Sequence, residues 1–118
     1  MLAIIEKRKA SKNLTNIETI LATETDPGIP AASADVVLLV DAYHEFSYPR
    51  EVMQGVVKGL KSGGRVVLVE YRGEDPQVPI KRLHKMTMQQ AKKEMLAAGL
   101  EWLKTDNYLP QQHVMIFA

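Results

Sequence analysis

The sequence predicts a one-domain α/β fold, with parallel strands at its centre and an antiparallel hairpin closing its C-terminal end. Two stretches, Asp35 to Asp41 (DVVLLVD) and Arg65 to Tyr71 (RVVLVEY), are apolar almost throughout instead of alternating. Such strands need cover on both faces, as in the middle of a parallel sheet. A helical pattern lies between them, so strand, helix and strand form a βαβ unit with a right-handed crossover. The length of 118 residues, 46% of them hydrophobic, suits one small core and leaves no room for a second independent domain.

The elements follow in order. Leu2, Ile5 and the flanking Ala3 and Ile4 give a first helix an apolar side, with Glu6, Lys7, Arg8 and Lys9 facing water and an end near Lys12 and Asn13. Ile17 to Thr23 (IETILAT) has the length and β-branched content of a strand, and Asp26-Pro27-Gly28 enforces the turn after it. DVVLLVD is the next strand. Pro49 opens a helix whose apolar face is Val52, Met53, Val56, Val57 and Leu60, and Gly63-Gly64 stops it. RVVLVEY then runs beside DVVLLVD. After a polar stretch from Arg72 to Met86, Thr87 and Gln90 have capping-box spacing and start a helix that buries Met88, Ala91, Met95 and Ala98, with Gly99 ending it. Leu100 to Tyr108 and His113 to Phe117 flank Leu109-Pro110-Gln111 and form the hairpin.

Composition excludes several function classes. Lysine and arginine number 15 against 14 acidic residues, so no strong field points to nucleic acid or to an anionic membrane. The absence of cysteine removes disulfides and thiolate chemistry and suits a cytoplasmic setting. No signal-peptide pattern opens the chain, and no apolar run approaches the roughly 20 residues a spanning helix needs. Ser47 and Ser62 have no G-x-S-x-G context, which disfavours serine hydrolysis. No H-E-x-x-H is present and Asp41, His44 and Glu45 follow no strong ligand spacing, so no metal site is expected.

In open α/β sheets, ligands gather beyond the carboxyl ends of parallel strands. Three places therefore hold the candidate residues: Thr23-Glu24, Asp41 to Glu45, and Glu70-Tyr71-Arg72 with the following loop that carries Lys81, His84 and Lys85. His44 is the candidate base because its ordinary pKa lies near neutrality; Tyr43 either meets an acceptor or fills core, and His44 either acts as base or caps the next helix. Arg72, Lys81, His84 and Lys85 form either a cationic rim for an anionic acceptor or a solvated loop. His113, Tyr48 and Trp102 are assigned to structure.

The order DVVLLVDAYHEF, helix, KSGGRVVLVEY, helix and hairpin resembles the class I S-adenosylmethionine-dependent methyltransferase family, and EDPQVPIKRLHKMT with EMLAAGL resembles a group of small methyltransferase-domain proteins. The resemblance implies an incomplete Rossmann-like methyltransferase fold over residues 1–118, starting downstream of the family's glycine-rich loop. None of the seven glycines forms a G-x-G after a strand. It further implies S-adenosylmethionine as cofactor, bound weakly at best, with Thr23 and Glu24 at the adenine and Asp41 and Ala42 beside the methionine part. Asp often stands in the family where Thr23 stands here. Tyr43, His44 and Glu45 then take the catalytic place, and Arg72, Lys81, His84 and Lys85 the side of a small-molecule acceptor. The alternative is a non-catalytic assembly module: in the family a further strand lies beside the one at Val36 to Val40, so either Ile17 to Thr23 or a second chain covers that edge here, the latter giving a homodimer or a complex.

Overall fold

A computed structural model describes residues 1–81 and 84–118; Arg82 and Leu83 of the expected polar loop lie outside the described residues. Helix α1 (Leu2–Ser11) comes first. Strand β1 (Ala34–Val40) leads through a 3₁₀ turn (Tyr43–Glu45) to helix α2 (Pro49–Gly59) and strand β2 (Leu60–Arg72). A two-residue strand β3 (Lys85–Met86), helix α3 (Met88–Ala97) and strands β4 (Trp102–Asp106) and β5 (Gln112–Phe117) complete the chain. The sheet order is β1-β2-β5-β4, with β3 alongside the end of β2. β1 and β2 are parallel, as the βαβ pattern requires, and β5 runs antiparallel to both β2 and β4. The hairpin finishes one side of the sheet, and β1 and β4 leave its edges open.

Residue parity along the strands sets the core. Val66 pairs with Phe117 and Leu68 with Met115, so all four project from one face, where Val52, Met53 and Val56 of α2 and Ala91 and Met95 of α3 meet them. Val37 and Leu39 of β1 join the same cluster. The opposite face of β1 differs from the sequence expectation of double cover. Val36, Leu38 and Val40 are 58%, 60% and 51% exposed, because both α2 and α3 lie on the other side and α1 buries no residue of its own.

Two further differences have local causes. Ile17 to Thr23 forms no strand, and Leu21 is 84% exposed. A strand needs a ladder partner, and the backbone N–H of Thr23 donates instead to the Asp26 carbonyl, 2.9 Å away, while the Asp26 N–H donates to Thr23 Oγ1. The chain beyond that turn lies across α2 at Gly55 and Gly59, where an added Cβ would come within 2.6 Å of Pro27 Cδ and 2.5 Å of Ile29 Cγ2. Gly63-Gly64 does not stop α2, which ends at Gly59. The pairing jumps from Ala34–Leu60 to Val36–Arg65, so the segment around Gly63, with φ of +78°, bulges from the ladder.

Helix α3 starts as the capping spacing predicts, with Thr87 Oγ1 accepting from the Gln90 N–H at 3.1 Å. A second cap comes from outside the helix: Glu74 accepts from the Met88 N–H at 2.9 Å and, through its other oxygen, bonds His113 Nε2 at 2.9 Å. Partial burial works to raise the Glu74 pKa, but the hydrogen bonds from Met88 and His113 outweigh it and hold the carboxyl below its ordinary value.

Two outcomes follow. Leu68→Ala, at a fully buried core position, should cost about 2–5 kcal/mol in urea unfolding, while Leu38→Ala on the open face should cost less than about 1 kcal/mol. Glu74 has a lower pKa folded than unfolded, so its contribution is present above the ordinary value of 4.5 and is lost as the pH falls through the folded value. The urea midpoint should therefore drop on acidification below pH 4.5, and less so in Glu74→Gln; parallel curves for the two proteins would show that Glu74 is not responsible.

Candidate functional site

The parallel pair ends level, with Val40 opposite Val69. Asp41 donates its N–H to the Val69 carbonyl at 2.8 Å and then takes a left-handed conformation, φ +50°, which turns the chain out of the sheet into the Tyr43–Glu45 turn. Gln112 of β5 secures that corner. Its Nε2 donates to both Asp41 carboxylate oxygens, at 2.9 and 2.7 Å. The turn sends Tyr43 away from its two neighbours, so His44 and Glu45 share a cleft that Tyr43 does not line.

His44 points to Glu70, which follows Val69 in β2 and is 1% exposed. Glu70 Oε1 accepts the His44 backbone N–H at 3.2 Å, and Oε2 lies 2.6 Å from His44 Nδ1, sharing a hydrogen with it. Burial pushes the Glu70 pKa up, and the His44 hydrogen bonds and charge pull back against that rise. With Nδ1 committed, Nε2 is the nitrogen left for chemistry; it stands 3.8 Å from Glu45 Oε1, beyond hydrogen-bond reach. His84 arrives from the loop after β2, its ring edge-to-face with His44 at 5.3 Å and its Nδ1 3.9 Å from Glu45 Oε1. Asp41, Tyr71, Ile80 and Lys81 complete an open cleft of about 560 Å³ around these groups.

Other expected residues go elsewhere. Tyr43 is buried, its ring 5.6 Å from Phe46 and its hydroxyl donating to Glu94 at 3.0 Å; burial and the Glu94 charge push its phenol pKa up, so it stays a protonated donor outside the His44 cleft. Arg72 donates to the carbonyls of Leu109, at 2.7 Å, and Asn107, at 3.3 Å, thereby holding the β4–β5 turn. Lys85 donates to the Asp75 carbonyl at 3.0 Å. The expected rim of four cationic residues is thus reduced to Lys81 and His84 in the cleft. Thr23 and Glu24 line a separate pocket of about 320 Å³ with Ala22, Pro27 and Phe46, and Glu45 stands between the two.

Sequence reasoning missed the partners. Glu70 was passed over as the buried orienter of His44, although a lone carboxylate inside RVVLVEY was its visible signal. Gln112 and Glu94 gave no such signal, because only folding brings them to Asp41 and Tyr43.

A parallel βαβ pair extended by an antiparallel hairpin defines an open, mixed α/β sheet, and an oriented histidine stands at the mouth of its two parallel strands. Residues 1–68 match the family described as "Methyltransferase domain", and the chain belongs to that family. Among solved structures it is similar to a SAM-dependent methyltransferase from Aquifex aeolicus, with TM-score 0.84 and 12% identity over 95% of this chain and 60% of that one. A putative type 11 methyltransferase from Sulfolobus solfataricus gives 0.73 and 19%, over 99% and 66%. An O-methyltransferase from neocarzinostatin biosynthesis, in complex with S-adenosyl-L-homocysteine and 1,4-dihydroxy-2-naphthoic acid, gives 0.79 and 16%, over 97% and 38%. At these identities the likeness is one of fold, and the chain spans less than two thirds of each neighbour. No curated protein matches it in sequence. Among the described residues, no helix is long and apolar enough to cross a membrane.

Proposed function

We propose that this chain supplies the acceptor side of a cytoplasmic S-adenosylmethionine-dependent methyltransferase that acts on a small molecule. The observation that carries the proposal is the 2.6 Å link from buried Glu70 to His44 Nδ1 at the carboxyl mouth of β1 and β2, which leaves Nε2 facing an open cleft. An acceptor hydroxyl or amine lodged there would lose its proton to Nε2, with Glu70 keeping the ring oriented and offsetting the positive charge. Lys81 and His84 stand in the same cleft, where they suit an acceptor that carries negative charge.

The residues present fit one end of the cofactor. Ala22, Pro27 and Phe46 form apolar walls around Thr23 and Glu24, a lining that suits a flat base with a polar edge. The Asp41 carboxylate is engaged by Gln112, so Asp41 and Ala42 would meet the methionine part through backbone groups. When bound, the cofactor supplies a methyl group on a positively charged sulfur. The sequence has no glycine-rich loop after a strand, so affinity for the isolated chain should be low.

Addition of millimolar S-adenosylmethionine should shift the amide resonances of Thr23, Glu24, Asp41 and Ala42, and His44→Ala should leave that affinity within about twofold, since His44 is assigned to the acceptor. Unmoved resonances at saturation of the reagent would sink the assignment for this chain.

The open face of β1 favours a second reading, an assembly module. Val36, Leu38 and Val40 are exposed side by side on an edge strand, an arrangement prone to pairing with another chain. Sedimentation at micromolar concentration should then show a dimer, with the β1 amides protected from exchange and Leu38→Lys returning the protein to monomers. A wild-type monomer whose β1 amides exchange rapidly would rule this reading out.

A further inference from the structure

We infer that His44, Glu45 and His84 form a binding site for a divalent first-row transition metal ion, held by two imidazoles and one carboxylate with Glu70 as the positioning residue behind His44. His44 Nε2, Glu45 Oε1 and His84 Nδ1 converge from two separate segments of the chain, and the group's ligand atoms all lie within 4.8 Å of one another. The recorded separations are 3.8 Å from His44 Nε2 to Glu45 Oε1 and 3.9 Å from His84 Nδ1 to the same oxygen. Ligands about 2.0–2.2 Å from a tetrahedral ion lie about 3.4 Å from each other, so each measured pair must close by about half an ångström. Glu45 and His84 have side chains 65% and 46% exposed and are free to make that adjustment, whereas His44, at 7%, is the fixed member.

A second feature points to a metal independently of that spacing. A metal-bound histidine needs its other ring nitrogen protonated and held, and the common device is a carboxylate accepting that N–H. Glu70 meets Nδ1 in this way at 2.6 Å and also takes the His44 backbone N–H, so both the tautomer and the direction of the Nε2 lone pair are set before any ion arrives. Two carboxylates, Glu45 as ligand and Glu70 behind, match the ion's double charge. Two imidazoles with one carboxylate favour zinc, iron, cobalt or nickel over magnesium and calcium, which prefer oxygen throughout. Three protein ligands leave positions open to the cleft, where an oxygen atom of a small molecule could coordinate.

The inference concerns the same cleft as the proposed methyl transfer but rests on donor geometry alone, and it stands whether or not the chain transfers methyl groups. The two proposals differ in what they ask of one atom. Nε2 accepts a proton in the free protein and is occupied by the ion in the loaded one.

The test uses the untagged 118-residue chain, stripped with a chelator and titrated with Co²⁺, then with Zn²⁺ in competition. One equivalent of Co²⁺ should develop the visible absorption of a four- or five-coordinate site, and Zn²⁺ should abolish it. In nitrogen-resolved NMR, Zn²⁺ should shift His44 Nε2 and His84 Nδ1 while the His44 Nδ1–H proton persists. His84→Ala, an exposed change that spares the core, should lower affinity at least about a hundredfold, and Glu70→Gln should lower it about 10–100-fold. Equal binding by wild type and His84→Ala, absence of visible bands, or ring shifts confined to His113 would each overturn the site. These readouts require no S-adenosylmethionine, so failure of the cation site and failure of the methyltransferase assignment are distinguishable.

Discussion

The site depends on a carboxylate that cannot remain buried alone. Glu70 sits on the core-facing side of β2 in line with Val66 and Leu68, where an ionised group without partners costs several kcal/mol. Among the described residues, His44 brings it both a backbone and a ring hydrogen bond. For His44 to arrive there, β1 must end level with β2, and Asp41 must reverse the chain with a positive φ. Gln112 fastens that reversal from β5, so three strands contribute to the orientation of one imidazole. The geometry of the His44 ring is therefore a property of the sheet, whereas His84 is a more exposed side chain on a loop.

Much of the fold was legible because apolar runs and caps report local physics. DVVLLVD and RVVLVEY announced a parallel pair, Pro49 marked the start of α2, and Thr87 marked the start of α3. Cover was harder to read. An unbroken apolar strand says that both faces avoid water in some assembly, but it cannot say what covers them, and here α2 and α3 both chose the Val37–Leu39 side. IETILAT had strand composition and no ladder partner, and a strand is a property of two segments. Gly63-Gly64 looked like a helix stop because a bulge and a cap both call for a positive φ.

At the site, sequence placed residues at the right strand ends but could not aim their side chains. Tyr43 and His44 are adjacent in a 3₁₀ turn, which directs one ring to the core and Glu94 and the next to Glu70. Arg72 and Lys85 follow the β2 strand end in sequence, as a cationic rim would, yet each found backbone carbonyls that sequence cannot reveal, at the β4–β5 turn and at Asp75. His84 shows the converse. It lies forty positions after His44 in the chain, and folding brings the two rings together.

In the proposed reading, the two sides of a methyltransferase site are unevenly prepared in this chain. Asp41 pairs with Gln112 and His44 with Glu70 within the described residues, so the proposed acceptor side is preorganised by its own hydrogen bonds. The proposed cofactor side has the pocket at Thr23 and Glu24, on a segment that lacks sheet pairing and whose turn is held locally at Asp26. Binding energy spent to order that segment is unavailable for affinity, whereas none is needed to orient His44. Substitutions at Thr23 or Glu24 and substitutions at Glu70 should therefore act on separate quantities. Under that proposal the first pair would govern how firmly a donor is held, and Glu70 would govern what the imidazole can do once an acceptor or a cation is present.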